Sequence, residues 1–234
     1  MDGGHRGWGI CVSQLALGTI MEHSVRERQR AIHRYITLHR DTYRGMATLI
    51  TPDPSNASQV WARLAFAILS ANAPFEHAVG ALAYCAKHKG RVEWGTGLER
   101  YAGMVPAKVD YVNALPLGGT VLTLTRHEDE PWHDYRMRLY QDVAGLGLCK
   151  ASFAAALMDP IEADVACVDT HIQRVYLGHG RFKALNRATY LEVEDQIRRV
   201  ARQYGLGTFL TQWLIWDHAR GRLTDHAVFP GAHK

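Results

Sequence analysis

At 234 residues the chain can form one large domain or two small helical lobes with an ample core. Its 47% hydrophobic and 21% charged residues are ordinary for a soluble globular protein, and a charge of +4 with a pI near 8.9 suits an anionic partner without requiring one. The apolar runs are too short and too interrupted by charge for a signal peptide or membrane span, and Cys11, Cys85, Cys149 and Cys167 lack Cys-x-x-Cys spacing, so a reduced, cytoplasmic setting is expected.

Residues 1–23 are Gly-rich, then mildly apolar, and carry little signal. Ser24 suits the N-cap of a helix running to about Tyr43, with Ile32, Tyr35, Ile36 and His39 on one face. Arg26, Arg28, Arg30, Arg34 and Arg40 line the other, as a solvated surface or a phosphate contact. The loop from Thr51 to Ser58 leads into a strongly apolar helix from Trp61 to about Ser70, followed by Ser70-Ala-Asn-Ala-Pro74. Pro74 opens a helix that Gly90 ends, with Phe75, Val79, Leu82 and Tyr84 as its core face. Residues 91–103 read as loop and short helix. Met104-Val-Pro-Ala-Lys108 starts another helix, with Lys108 as a surface charge. Residues 117–130 hold two glycines and an acidic run and read as a variable loop.

Pro131 suits a first helical position, and Tyr135, Leu139, Asp142 and Val143 approximate a 3.6-residue period. Ala144-Gly-Leu-Gly147 is too short for anything but a tight hairpin. A second helix follows at once, with Ala151, Ala154, Ala155 and Met158 as a small-residue face. Residues 131–158 thus outline helix, Gly-x-Gly hairpin, helix. Gly145 and Gly147 permit positive φ and close approach of backbone N–H groups, which at a helix start form an anion site suited to a DNA phosphate. A plain helix–helix turn has the same outline. Val165-Ala-Cys-Val168 then precedes Asp169-Thr-His-Ile172, which opens a short helix closed by Gly178-His-Gly180. Thr189 to Tyr204 is amphipathic, with Tyr190, Val193, Ile197 and Val200 inward and Arg198, Arg199 and Arg202 outward. Thr208 to Arg220 is the last helix, where Phe209, Trp213 and Trp216 suit core packing and Asp217 and His218 could reach a pocket. The tail, 223–234, is expected to be loose. No stretch alternates as a strand, and the fold class is all-α.

Three blocks carry a resemblance. Gly145, Gly147 and Ala151 match the hairpin of the helix-hairpin-helix DNA glycosylase superfamily, the group of endonuclease III, adenine glycosylase and oxoguanine glycosylase. Asp169, Thr170, His171 and Arg174 match its Val-Asp-Thr-His-Ile block, and Asn72 stands where a Leu-Ser-Ala-Gln-Ala segment carries its glutamine. The resemblance covers roughly residues 60–180 and implies a two-lobed helix-hairpin-helix glycosylase fold. Residues 1–55 would be a helical segment packing on the second lobe, 56–180 the core with its hairpin at 131–158, and 181–234 the C-terminal helices and tail. The expected partner is double-stranded DNA with a modified base, bound by a monomer.

The resemblance assigns Asp169 to catalysis. Bond breakage builds positive charge on the sugar, and a carboxylate beneath it stabilises that charge and orients or deprotonates water. Asp169 also suits an N-cap, and the two roles are compatible. Asn72 would wedge into the gap left by the extruded base or cap its helix. Gly145, Gly147, Lys150 and His171 would contact DNA, and base extrusion itself is required for access. Cys149, Trp132, Trp213 and Asp217 are candidates for the base pocket, with Trp61 and Tyr101 as further aromatics. Bifunctional relatives place a Schiff-base lysine two residues beyond the second glycine, where this chain has Cys149. A one-residue offset is about 100° of helix rotation, so Lys150 is expected to point away and the site to be monofunctional. No cofactor is expected: no cysteine follows Cys167 for an iron–sulfur cluster, and the hairpin could hold at most a monovalent cation. The hairpin and Asp169 blocks also look like a divergent branch in phages and bacterial defence loci. That likeness implies excision of a bulky hypermodified pyrimidine, such as glucosylated hydroxymethylcytosine, from phage DNA. The alternatives are a base-modifying transferase on the same fold, a repair glycosylase for a damaged base, or a non-catalytic DNA-binding module.

Overall fold

A computed structural model describes residues 14–178 and 185–221, with side chains from Glu27 onward. Cys11, the Arg26 side chain, closure of the short helix at His179 and Gly180, and the tail from 222 lie outside the described residues. Among the described residues every regular element is helical: α1 (Gln14–Ile50), α2 (Ala57–Leu69), α3 (Phe75–Lys87), α4 (Pro106–Ala114), α5 (Trp132–Asp142), α6 (Leu148–Met158), α7 (Thr170–Leu177), α8 (Arg187–Tyr204) and α9 (Thr208–Arg220). None of these helices is long and apolar enough to cross a membrane.

Helix α2 is the centre of one group. Asn56 caps it, its side chain accepting from the Ser58 and Gln59 N–H groups, and all ten residues from Val60 to Leu69 are buried. A helix buried on every side must be surrounded, and the one cation in that run, Arg63, donates to the Ile50 carbonyl at the end of α1. Helices α3, α4 and α6 pack around it, together with the 3-10 turn Gly118–Leu124, and α5 lies on α6. Helices α1, α7 and α8 pack on α9 as a second group, so the first long helix closes against the last.

Helix α1 is longer at both ends than its sequence suggested. Its buried stripe continues from Ile32 and Ile36 through Tyr43 to Ala47 and Ile50, and Ser24 lies inside the helix. Arg28, Arg30 and Arg34 are exposed, as a solvated face requires. Residues 117–130, expected to be a variable loop, are held firmly. Val121 and Leu124 are buried, the Tyr135 hydroxyl donates to the Leu124 carbonyl at 2.8 Å, and Arg138 bridges Glu130 at 2.6 Å.

Candidate functional site

The hairpin turns on one glycine. Gly145 has φ +86°, and a Cβ there would run into the Tyr111 ring; Gly147 has φ −71° and open space where a Cβ would stand. The two glycines therefore do different jobs. Gly145 is needed by the fold, whereas Gly147 leaves the N-terminus of α6 accessible from outside. Gly145→Val should cost roughly 2 kcal/mol or more in a urea melt, because strain and overpacking add. Gly147→Val should melt near the parent.

Asp169 sits at the end of an extended, buried segment whose polar backbone has no strand partner. Side chains satisfy it instead. The Ala166 N–H donates to Glu194 Oε1 at 2.8 Å, the Ala166 carbonyl accepts from the Tyr190 hydroxyl at 2.6 Å, and the Cys167 N–H reaches Gln212 Oε1 at 3.4 Å. Glu194 is itself paired at 2.6 Å with Arg136 of α5, both fully buried. The hairpin group and the Asp169 segment are thus fastened through one ion pair.

The Asp169 carboxylate caps α7: Oδ1 accepts from the His171 and Ile172 N–H groups at 3.0 Å each. Oδ2 accepts from the Trp216 indole at 2.7 Å. A carboxylate oxygen has two lone-pair directions, so Oδ1 is filled and Oδ2 retains one. Both roles anticipated for this residue, cap and open carboxylate, are compatible in the same conformer.

Asp169 opens into a cavity of about 850 Å3 between the two helix groups. Its walls include Phe66, Phe153, Phe209, Trp213 and Trp216, with Gln212, Lys150 and Arg220 as polar groups. Asn72, Gly147, Cys149 and His171 also line it, so most of the residues singled out from sequence converge there. Asn72 is exposed, adopts φ +50° just past α2, and its side chain makes no hydrogen bond among the described residues. It does not cap its helix. Lys108 does that. Expected at the surface, Lys108 is buried, and its ammonium donates to the Leu69 carbonyl at 2.9 Å and to those of Ala71 and Gly103. Burial, and then the neighbouring Lys150, push its pKa down to about 8.

Several expectations need correction. Lys150 does not point away: it lines the cavity, its ammonium 2.9 Å from Ser70 Oγ and 5.0 Å from the centre of the Phe153 ring. A rotation of 100° does not carry a four-methylene side chain out of a cavity this wide, and the first turn of α6 faces its mouth. Trp132 is not part of the cavity wall; it is stacked under Arg126 at 4.6 Å and packed on Tyr135. Asp217 is fully buried on the opposite side of α9, accepting from the Tyr43 hydroxyl at 2.5 Å. Its neighbour Trp216 faces the site instead. Trp61 is buried near Gly90, and Tyr101 covers Gly80. Sequence reasoning passed over Gln212, and took Trp216 for core. The missed signal was periodic: Gln212, Trp216 and Arg220 stand four apart on one face of a largely buried helix, and Arg220 lies 3.9 Å over the Trp216 ring.

Neither a protein-family model nor a curated protein matches the sequence. Solved structures do. The Methanocaldococcus jannaschii 8-oxoguanine glycosylase/lyase, in complex with 15mer DNA containing 8-oxoguanine, superposes with a TM-score of 0.69 at 19% identity over 82% of this chain and 99% of that one. The 8-oxoguanine DNA glycosylase of Thermotoga maritima gives a TM-score of 0.67 at 19% identity over 88% of this chain and 100% of that one. The chain has the all-helical fold of these DNA glycosylases.

Proposed function

We propose, from that shared fold and the setting of Asp169, that the chain is a DNA N-glycosylase that extrudes a modified base and leaves an abasic site, monofunctional because the Lys150 ammonium, although in the cavity, is engaged by Ser70 Oγ at 2.9 Å and water is the nucleophile. One observation carries the reading: a carboxylate opening into a large aromatic-walled cavity, oriented by three donors with one acceptor direction left over. As the base departs, negative charge at Asp169 stabilises the sugar's growing positive charge, a preorganised electrostatic effect. The remaining lone pair of Oδ2 orients the attacking water. Asn72, projecting from a left-handed turn with its amide unengaged, fills the gap in the duplex, and the N-terminus of α6 at Gly147 receives a backbone phosphate. His171 and Lys150 add contacts to the strand.

The substrate we favour is a bulky hypermodified pyrimidine, such as glucosylated hydroxymethylcytosine in phage DNA, attacked in defence of the cell. The cavity is generous for one flat base, and Gln212 and Arg220 can bond the hydroxyl groups of an added sugar. Incubation with duplexes carrying glucosylated hydroxymethylcytosine, 8-oxoguanine or unmodified cytosine tests this, with alkaline cleavage and mass analysis of the released base. Free glucosylated base with an alkali-labile site is expected. Release from the 8-oxoguanine duplex alone would move the chain to damage repair, and a heavier base still attached would make it a transferase. Binding without any change to the base would leave a non-catalytic module.

Three further outcomes follow. Trp216→Phe keeps an aromatic wall but removes the N–H, and a hydrogen bond to a charged group is worth about 1.5–3 kcal/mol. Base release should fall roughly 10- to 100-fold in single-turnover assays, with duplex affinity unchanged. Gly147→Val should weaken binding to every duplex, modified or not, because phosphate contacts hold no base information. Lys150→Ala should leave base release largely intact and lower affinity by about one phosphate contact, read as a shallower salt dependence. Borohydride should trap no covalent complex with the parent, and a trapped complex lost in Lys150→Ala would make the enzyme bifunctional.

A further inference from the structure

Two thiols meet at the cavity wall. Cys149, the second residue of α6, is half-buried and lines the cavity; Cys167, in the extended segment before Asp169, is buried and lines it too. Their sulfurs are 3.3 Å apart. The contact with Cys149, then burial, push the Cys167 thiol well above its usual range. A pair serving only to fill space would be closed on every side, and this one has an open face. A disulfide bond is about 2.05 Å long, so roughly 1 Å of travel separates the sulfurs from bonding. One belongs to the first turn of a helix and the other to extended chain, where such travel is small against side-chain rotation.

We propose that Cys149 and Cys167 form an oxidation site, a dithiol that a peroxide arriving through the cavity converts to a disulfide. The Cys149 thiolate attacks one oxygen of hydrogen peroxide; the O–O bond breaks, and Cys149 becomes a sulfenic acid while hydroxide leaves and takes up a proton as water. The Cys167 sulfur then attacks the Cys149 sulfur, giving up its proton. The S–O bond breaks, the hydroxyl departs as water, and the S–S bond forms. In sum, two thiols and one peroxide yield one disulfide and two waters. The order follows from access: the half-buried Cys149 meets the oxidant, and the buried Cys167 behind it resolves. The bond fastens α6 to a residue whose carbonyl accepts the Asp169 N–H at 2.9 Å, so oxidation acts on the turn that carries the carboxylate. Formation of the disulfide does not depend on the glycosylase reading.

The test uses the full chain, reduced, desalted and exposed to hydrogen peroxide. Remaining thiols are alkylated under denaturing conditions, and the digest is analysed without reductant. The expected product is a linked pair of peptides containing Cys149 and Cys167, lighter by two hydrogens than their sum, lost on dithiothreitol treatment, and in large excess over any link to Cys85 or Cys11. In Cys167→Ser, Cys149 should stop at a sulfenic acid that dimedone traps. In Cys149→Ser, Cys167 should remain fully alkylatable. Sulfinic acid at Cys149 beside a free Cys167 in the parent overturns the proposal, as does survival of both thiols. Should Cys167→Ser fail to fold, the parent's linked peptide and Cys149→Ser decide the matter.

Discussion

Asp169→Asn is expected to lose at least ~10²-fold in base release while keeping its fold and its affinity for duplex. The structure makes this substitution unusually clean. Asn caps a helix about as well as Asp, so the bonds from the His171 and Ile172 N–H groups survive and α7 keeps its start. What disappears is the negative charge facing the cavity, and the amide nitrogen that replaces Oδ2 meets another donor, the Trp216 indole. A small loss of stability is therefore expected beside the large loss of rate. Single-turnover base release, a thermal melt and a duplex-binding titration separate the three effects. Near-parent excision by the folded variant would remove Asp169 from catalysis and with it the proposed mechanism.

The largest effect on stability is expected at Arg136, which does not itself line the cavity. Arg136→Met should lower stability by about 3–5 kcal/mol, because it leaves the buried Glu194 carboxylate with only the longer contact to Arg198 at 3.6 Å. Replacing both partners by apolar residues need not cost as much in principle. Here it still would cost something, since Glu194 also accepts the Ala166 N–H at 2.8 Å, and removal of that acceptor orphans a buried donor worth about 1–3 kcal/mol. The double variant Arg136→Met/Glu194→Leu should thus fall between parent and single variant in urea denaturation. A single variant as stable as the parent would show that the pair does not hold the two helix groups together. The same substitution should impair any chemistry at Asp169, three residues beyond the bond it disturbs.

How much of this could be read in the sequence depended on whether the causes were local. The start and end of α9 are where the sequence pattern put them, at Thr208 and Arg220, and Tyr190, Val193 and Ile197 of α8 are buried as its 3.6-residue period drew, with Val200 only partly so, because a helix repeats its environment every turn. The hairpin and the N-cap at Asp169 were legible for the same reason: an αL glycine and a capping carboxylate act within a few residues of themselves. Even there the two glycines could not be told apart, since the ring that excludes a Cβ at Gly145 belongs to Tyr111, far away in the chain.

Everything that required two distant segments was decided by tertiary structure. Lys108 looked like a surface charge until three carbonyls, from the end of α2 and from Gly103, surrounded its ammonium. Trp216 and Asp217 are adjacent, and only the packing of α9 between α1 and α7 determines that the indole reaches Asp169 while the carboxylate turns to Tyr43. Lys150 was assigned by helix rotation alone, which ignores the reach of its side chain and the position of Ser70 across the cavity. Local periodicity fixes which face a residue occupies; only the packed helices decide what that face meets.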